Sequence, residues 1–531
     1  MSLRIWISCL SLCWIAISYS EFSLAADTLV VRPKAWSDSL REWKQYREKQ
    51  GHQILELDAE LGATELKKQI RQTAQQNQLA YILLAGDVQS GVPTFYHPST
   101  AMIQFGGTPS LASDHDYGDL NDDGTPELSV GRIPAQSIEQ LKSFLARVMT
   151  YENNPDFSSW RRDVHVVAGV GGFGVVTDSV IEMTTRKFLS ETVPAWVNLS
   201  MTQASLSSLY CPDPLTFCDS TLDRMNDGGA FWVYIGHGWI DQLDTIRVGN
   251  KHHPIFLKQH VKEVQVKQPP IAIFLACYTG AVDAKDDCLA EQLILNPTGP
   301  IAAIAATRVS GPYGLAILSD GLLRGYFEQK IETLGSLMLE AEKASLDDSR
   351  FAKLSDSKSQ LGMINSIATA MTPKGYDLKA ERQEHVWQMN LLGDPLMRLA
   401  HSSDLNLQIA DQDFKPGDMI PVQIPNAQPG KLTLEFARRR GVASEEAKAA
   451  KVDWKTEEGR AAFQQRYQFA NQQTMAQANV VVGSSPSAVN LTVPEKIRSG
   501  KYVVRAFLET TQGFQVGSAE VRVAVPQTSA P

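Results

Sequence analysis

A histidine and a cysteine in this chain each stand directly behind an apolar run. Phe231-Trp232-Val233-Tyr234-Ile235 leads into Gly236-His237-Gly238, and Ile271-Ala272-Ile273-Phe274-Leu275 leads into Ala276-Cys277. A thiol attacks carbonyl carbon as its thiolate, and an imidazole beside it takes the proton and raises the thiolate fraction. Singly, such a histidine is usually a loop residue and such a cysteine a small core hydrophobe. Their parallel placement behind two runs points to a nucleophile and its base. Gly236 and Gly238 let backbone approach a ligand closely. The amides of Gly238 and Cys277 then form a candidate oxyanion hole, in which losing one donor typically costs about 10²–10³ in rate.

For these side chains to meet, the two runs must be neighbouring strands of one parallel sheet. Continuous apolar runs are what central parallel strands look like, because both faces are covered. Ligands bind outside the carboxyl ends of such strands. The surrounding sequence supplies the rest of an α/β pattern. Strands are expected at residues 28–31, 53–57, 79–85, 164–170, 230–235, 271–276 and 301–306. Helices are expected at 40–49, 63–75, 137–151, 179–192 and 319–339, with Ser137 as a cap. After about Ala400 the pattern changes to short alternating segments punctuated by Pro, Gly and Asn, as in a small β-sandwich of immunoglobulin-like type. A Glu-, Lys-, Ala- and Gln-rich stretch at 444–473 favours helix and reads as an insertion.

The 531 residues suggest about three units. A net charge of −9 with no basic stripe argues against a nucleic-acid partner. Arg4, the apolar run from Ile5 to Tyr19 and the small residues Ser23-Leu24-Ala25 read as a secretory signal peptide, so export is expected. No later run of about twenty apolar residues predicts a membrane span. Cys9 and Cys13 fall within the signal. Cys211 and Cys218 flank a Pro-rich loop and are expected to form a disulfide. Pairing of Cys277 with Cys288 is the alternative to a reactive Cys277.

Asp119, Asn121, Asp123 and Glu127 place oxygen ligands at near-alternate positions around Gly124. Such a loop suits Ca²⁺, which prefers oxygen; a solvated acidic turn is the alternative. Asp114 and Asp116 are further candidate ligands. His252-His253 lacks metal-ligand spacing, and the glycines at 169–174 do not form a dinucleotide fingerprint.

Tyr-Ile-Gly-His-Gly at 234–238 and Phe-Leu-Ala-Cys-Tyr-Thr-Gly at 274–280 resemble the His-Gly and Ala-Cys motifs of clan CD cysteine peptidases, and the gingipain family in particular. Leu-Leu-Ala-Gly-Asp at 83–87, Gly-Arg-Ile-Pro-Ala at 131–135, Cys-Leu-Ala-Glu at 288–291 and Leu-Leu-Gly-Asp-Pro at 391–395 extend the likeness over roughly 27–399. The resemblance implies a caspase-like fold. The chain then divides into a signal peptide (1–25), an N-terminal α/β subdomain (26–155), a catalytic α/β subdomain (156–400) and an immunoglobulin-like sandwich (401–531). It further implies hydrolysis of protein or peptide substrates through a thioester on Cys277, with His237 as acid and base. It favours a structural Ca²⁺. It also implies an acid that orients the histidine, for which Asp178 is the candidate and Glu182 a substitute; Asp178 equally suits a helix cap. The alternatives in function are an inactive binding protein on the same fold and a cysteine transpeptidase.

Overall fold

The computed structural model describes residues 25–171, 193–352, 360–483 and 487–525. Ten short strands build one sheet: β1 (Thr28–Arg32), β2 (Ile54–Asp58), β3 (Tyr81–Ala85), β4 (Ser129–Ile133), β5 (Asp163–Ala168), β6 (Asn198–Gln203), β7 (Phe231–Ile235), β8 (Ile271–Leu275), β9 (Ala302–Ala306) and β10 (Met389–Leu392). Their order across the sheet is β2-β1-β3-β4-β10-β9-β8-β7-β5-β6. All neighbours are parallel except β9 and β10. β1, β8, β9 and β10 are buried at every position, as strands covered on both faces must be. A single residue pair, Leu392 with Arg132, joins β10 to β4.

β4 and β10 carry polar residues into this core. The fully buried Arg132 guanidinium donates to both Asp114 oxygens (2.6 and 2.7 Å) and to the carbonyls of Gly86, Val92 and Pro93. Beside β10, Trp43 Nε1 and Arg47 both donate to Asp394, and Arg47 also reaches Glu152. Buried charge persists where it is paired and hydrogen-bonded in this way.

The long helix expected at 319–339 is instead two. Pro312–Phe327 starts earlier, on a proline that is pre-organised for the first helical position. Leu334–Leu346 follows a break in which Lys330 adopts φ 53°. The cysteine expectation is also corrected, since Cys211, Cys218, Cys277 and Cys288 are all free. Cys211 is buried, whereas the Cys218 thiol turns to His260 Nδ1 at 3.1 Å, so the two are not bonded. Cys288 is buried at the start of helix Leu289–Leu295, where its amide donates to Glu291. That leaves Cys277 unpaired to any sulfur.

Beyond Ala400, antiparallel strands Gly430–Arg438, Thr474–Val482, Gly500–Glu509 and Phe514–Val523 form one sheet, and Met419–Ile424 pairs with Ser487–Thr492. Ile420, Val422 and Leu491 from the second pack with Leu432, Leu434 and Val504 from the first, so the two enclose one core. Helices Glu445–Ala449 and Glu457–Asn471 interrupt these strands. The longer one covers the open edge of the large sheet. The Asn471 side chain accepts from the Met201 amide (2.7 Å) and donates to its carbonyl (2.9 Å), and Gln473 donates to the Leu199 carbonyl. An uncovered edge strand is a template for aggregation, and these amides occupy it. Glu435, within Gly430–Arg438, receives hydrogen bonds from Arg162 and Arg505, all three being buried.

β5 carries a titrating group against β7. His165 bonds the Gly228 carbonyl through Nε2 (2.8 Å) and Ser200 Oγ through Nδ1 (2.6 Å). The carbonyl needs a donor, so a neutral ring carries its proton on Nε2 and accepts from Ser200. Burial, helped by Arg224, pushes the imidazole down to about 4. Because the folded value lies below the unfolded one, this stability is present above pH 6.5 and is lost as pH falls through about 4. The loss is about 3 kcal/mol. Urea denaturation at pH 7 and pH 4 is expected to show it, with a smaller acid loss in His165→Gln; equal acid losses in both proteins would contradict the assignment.

Candidate active site

β7 and β8 are parallel neighbours, with Ile235 opposite Leu275. The turns that follow them leave the same edge of the sheet. The first turn is fixed from below by Tyr234, whose hydroxyl donates to the His237 carbonyl at 2.7 Å. Gly236 holds φ 157°, and a side chain there would meet the Tyr234 hydroxyl. Gly238 lies against the Cys277 turn: a Cβ on it would stand 2.7 Å from the Cys277 carbonyl oxygen and 3.0 Å from Ala276 Cβ. Only glycine lets these two turns touch. Neither the Gly238 nor the Cys277 amide donates to a backbone carbonyl among the described residues, as donors reserved for a ligand would have it.

The Cys277 turn is held from the other side. Tyr278 adopts a left-handed φ of 56°, a conformation costly for a non-glycine residue and retained where its surroundings enforce it. Its amide donates to the Arg308 carbonyl. The Arg308 guanidinium is clamped by both oxygens of Asp283, at 2.8 and 2.5 Å. The Ser310 amide donates to Cys277 Sγ at 3.3 Å. Burial pushes the Cys277 thiol up, and the Ser310 amide offsets part of that. Burial thus favours the protonated sulfur. Trp239 is 45% exposed with its ring centroid 6.3 Å from that of His237, and it lies on the rim of the site.

Asp178 and Glu182 lie outside the described residues. Two groups at this edge escape notice in the sequence. Arg308 reads there as the end of a strand, and nothing local announces Asp283 as its partner. Asp244 reads as one more polar residue in a short loop, yet it is buried beside the His237 turn.

The acidic loop brings three of its four expected ligands together. Oxygens of Asp119, Asp123 and Glu127 all lie within 4.8 Å of one another. Asn121 instead accepts from the Asp123 amide and donates to Glu127, bracing the loop. Asp119 Oδ1 is buried without a hydrogen-bond partner, an orphan that suits a cation. Asp114 and Asp116 point elsewhere, to Arg132 and to Lys67 with His97.

The model of peptidase family C25 matches residues 23–400. The chain belongs to family C25. Gingipain R2 of Porphyromonas gingivalis (strain ATCC BAA-308 / W83) is 24% identical to this C25 chain over 293 residues, which are 52% of the chain and 36% of the relative. Gingipain R1 of the same species is 27% identical over 238 residues, 44% of the chain and 21% of the relative. The chain thus spans about a third or less of these relatives' length. The crystal structure of the Arg-specific cysteine proteinase gingipain R (RgpB) superposes with a TM-score of 0.53 at 16% identity, covering 94% of this chain and 98% of that one. The complex of RgpB pro- and mature domains gives 0.51, covering 94% and 100%. The shared fold is the caspase-like one. No helix among the described residues is long and apolar enough to cross a membrane.

Proposed function

We propose that this chain is an exported cysteine endopeptidase. Cys277 Sγ attacks the peptide carbonyl carbon while its proton passes to His237. The Gly238 and Cys277 amides receive the carbonyl oxygen as it becomes an oxyanion. The C–N bond breaks as His237 hands the proton to the leaving amine. The resulting thioester is hydrolysed by a water that His237 deprotonates. The close approach of the Gly238 turn to the Cys277 turn carries this reading, because it aligns nucleophile and oxyanion donors on one edge. Membership of family C25 and the likeness to gingipains support it. The signal-like N-terminus supports export. Asp178 stands as the expected orienting acid.

A positional-scanning peptide library, run with the wild type beside Cys277→Ala, tests activity and specificity together. Thiol-dependent cleavage lost in the variant is expected. An unprocessed library with reactive Cys277 would favour a binding protein, and aminolysis products would favour a transpeptidase.

The loop of Asp119, Asp123 and Glu127 is proposed as a structural Ca²⁺ site, in which the cation neutralises three clustered carboxylates. Calcium at one hundred times its dissociation constant is expected to stabilise the fold by about 2.7 kcal/mol. Thermal melts with Ca²⁺ and with EDTA measure this, and Asp119→Ala removes the difference. Identical melts in both buffers would refute the site.

A further inference from the structure

The chain doubles back immediately after the histidine. Trp239 donates to the Gln242 carbonyl, and Gly238 bridges Leu243 in antiparallel fashion, so residues 238–243 form a tight hairpin. The hairpin returns Asp244 to the floor of the His237 turn. There the Asp244 amide donates to the Tyr234 hydroxyl at 3.2 Å, the same hydroxyl that donates to the His237 carbonyl. One phenol thus ties both residues together. The Asp244 side chain turns inward under β5 and β7. Its Oδ1 accepts from the Thr245 amide at 2.7 Å and its Oδ2 from the Val170 amide at 3.2 Å, the latter just past the carboxyl end of β5. A Cβ on Gly169 would lie 3.1 Å from Oδ2 and 3.0 Å from the Tyr234 hydroxyl, so the backbone has cleared space for this carboxylate.

Asp244 is 5% exposed. Burial pushes its carboxyl up, while the two amides and His237 pull it down. The carboxylate thus serves the two amides it accepts from and also acts electrostatically on His237. An apolar residue here would strand the Thr245 and Val170 amides, whereas a neutral amide would satisfy part of them without the desolvation cost of a charge.

We propose that Asp244 is a positioning residue for His237, fixing its turn through Tyr234 and supplying a negative charge for the imidazolium that forms when Cys277 gives up its proton. The role rests on the peptidase reading above and is independent of any contribution from Asp178. A carboxylate that orients a catalytic histidine and stabilises its protonated form acts on the chemical step more than on substrate binding.

Asp244→Asn keeps the shape and one of the two backbone acceptors and removes the charge. Its kcat on the best library peptide is expected to fall by about 10²-fold or more, with KM within about threefold and the thermal melt retained. A kcat within threefold of wild type in the folded variant would overturn the proposal. Should Asp244→Asn not fold, Tyr234→Phe severs the same link while leaving the carboxylate. It is expected to lower kcat about tenfold at constant KM, and an unchanged kcat overturns the proposal equally. The rate of Cys277 alkylation by iodoacetamide needs no turnover. It is expected to drop at least severalfold in Asp244→Asn, and an unchanged rate counts against the role. A wild type that alkylates in this Asp244-dependent way but cleaves nothing would sink the peptidase reading and leave the positioning role standing.

Discussion

Cys277→Ala is expected to lose about 10⁶-fold in kcat, the scale seen when a nucleophile that works as a unit with its base is removed. The thiol is half-buried, and its burial shows as a raised pKa. Without the sulfur there is no acyl-enzyme, and His237 is left to act on water alone. Removing both residues is therefore expected to cost no more than removing Cys277. This non-additivity, read from kcat of the single and double variants, separates a working pair from two independent contributors. The fold should tolerate the change, because deleting one sulfur at a half-buried turn leaves the Ser310 amide and the Arg308–Asp283 clamp near their places. A Cys277→Ala variant with wild-type turnover would move the nucleophile elsewhere.

Glu435→Ala is expected to destabilise the chain by about 3–5 kcal/mol, the cost of breaking a buried ion network from one side. Burial pushes the Glu435 carboxyl up, but Arg162 and Arg505 outweigh it and hold the group below its usual range. With the carboxylate gone, two guanidiniums face each other in a dry interface between the sandwich and the start of β5. Chemical denaturation monitored by tryptophan fluorescence measures the change. A loss under about 1 kcal/mol would show that water reaches the two arginines.

The strands that flank the site are legible in the sequence because they are buried on both faces and therefore uniformly apolar. β7, β8 and β9 fall within a residue or two of their expected ends. β4 and β10 escape for the opposite reason. Arg132 breaks the apolar run Ser129–Ile133, and Asn390 breaks Met389–Leu392. Each is accommodated by partners distant in sequence, Asp114 for the first and the Asp114 amide for the second. Local pattern cannot display a partner that lies outside the strand, 18 residues away for Arg132 and 276 for Asn390. β6 escapes because a helix of the sandwich supplies its cover. At the site, the glycines around His237 announce close backbone approach. The supports, Asp244, Arg308 and Asp283, look like ordinary polar loop residues until the fold brings them under the turns.

The place of β10 sets a timetable for assembly. It lies in the middle of the sheet, yet it is the last of the ten strands to leave the ribosome, some 250 residues after its neighbour β4. Chains fold roughly as they are made, and contacts so far apart in sequence form late. Until residues 389–392 emerge, the strands on either side can exist only as two half-sheets, each with a bare inner edge. Cys277 and His237 reside on one half, together with the hairpin that carries Asp244. A nascent chain can thus array Cys277 and His237 before the sheet is sealed, and the closing strand is the step at which an arrested or truncated product would remain open and prone to pair with another copy.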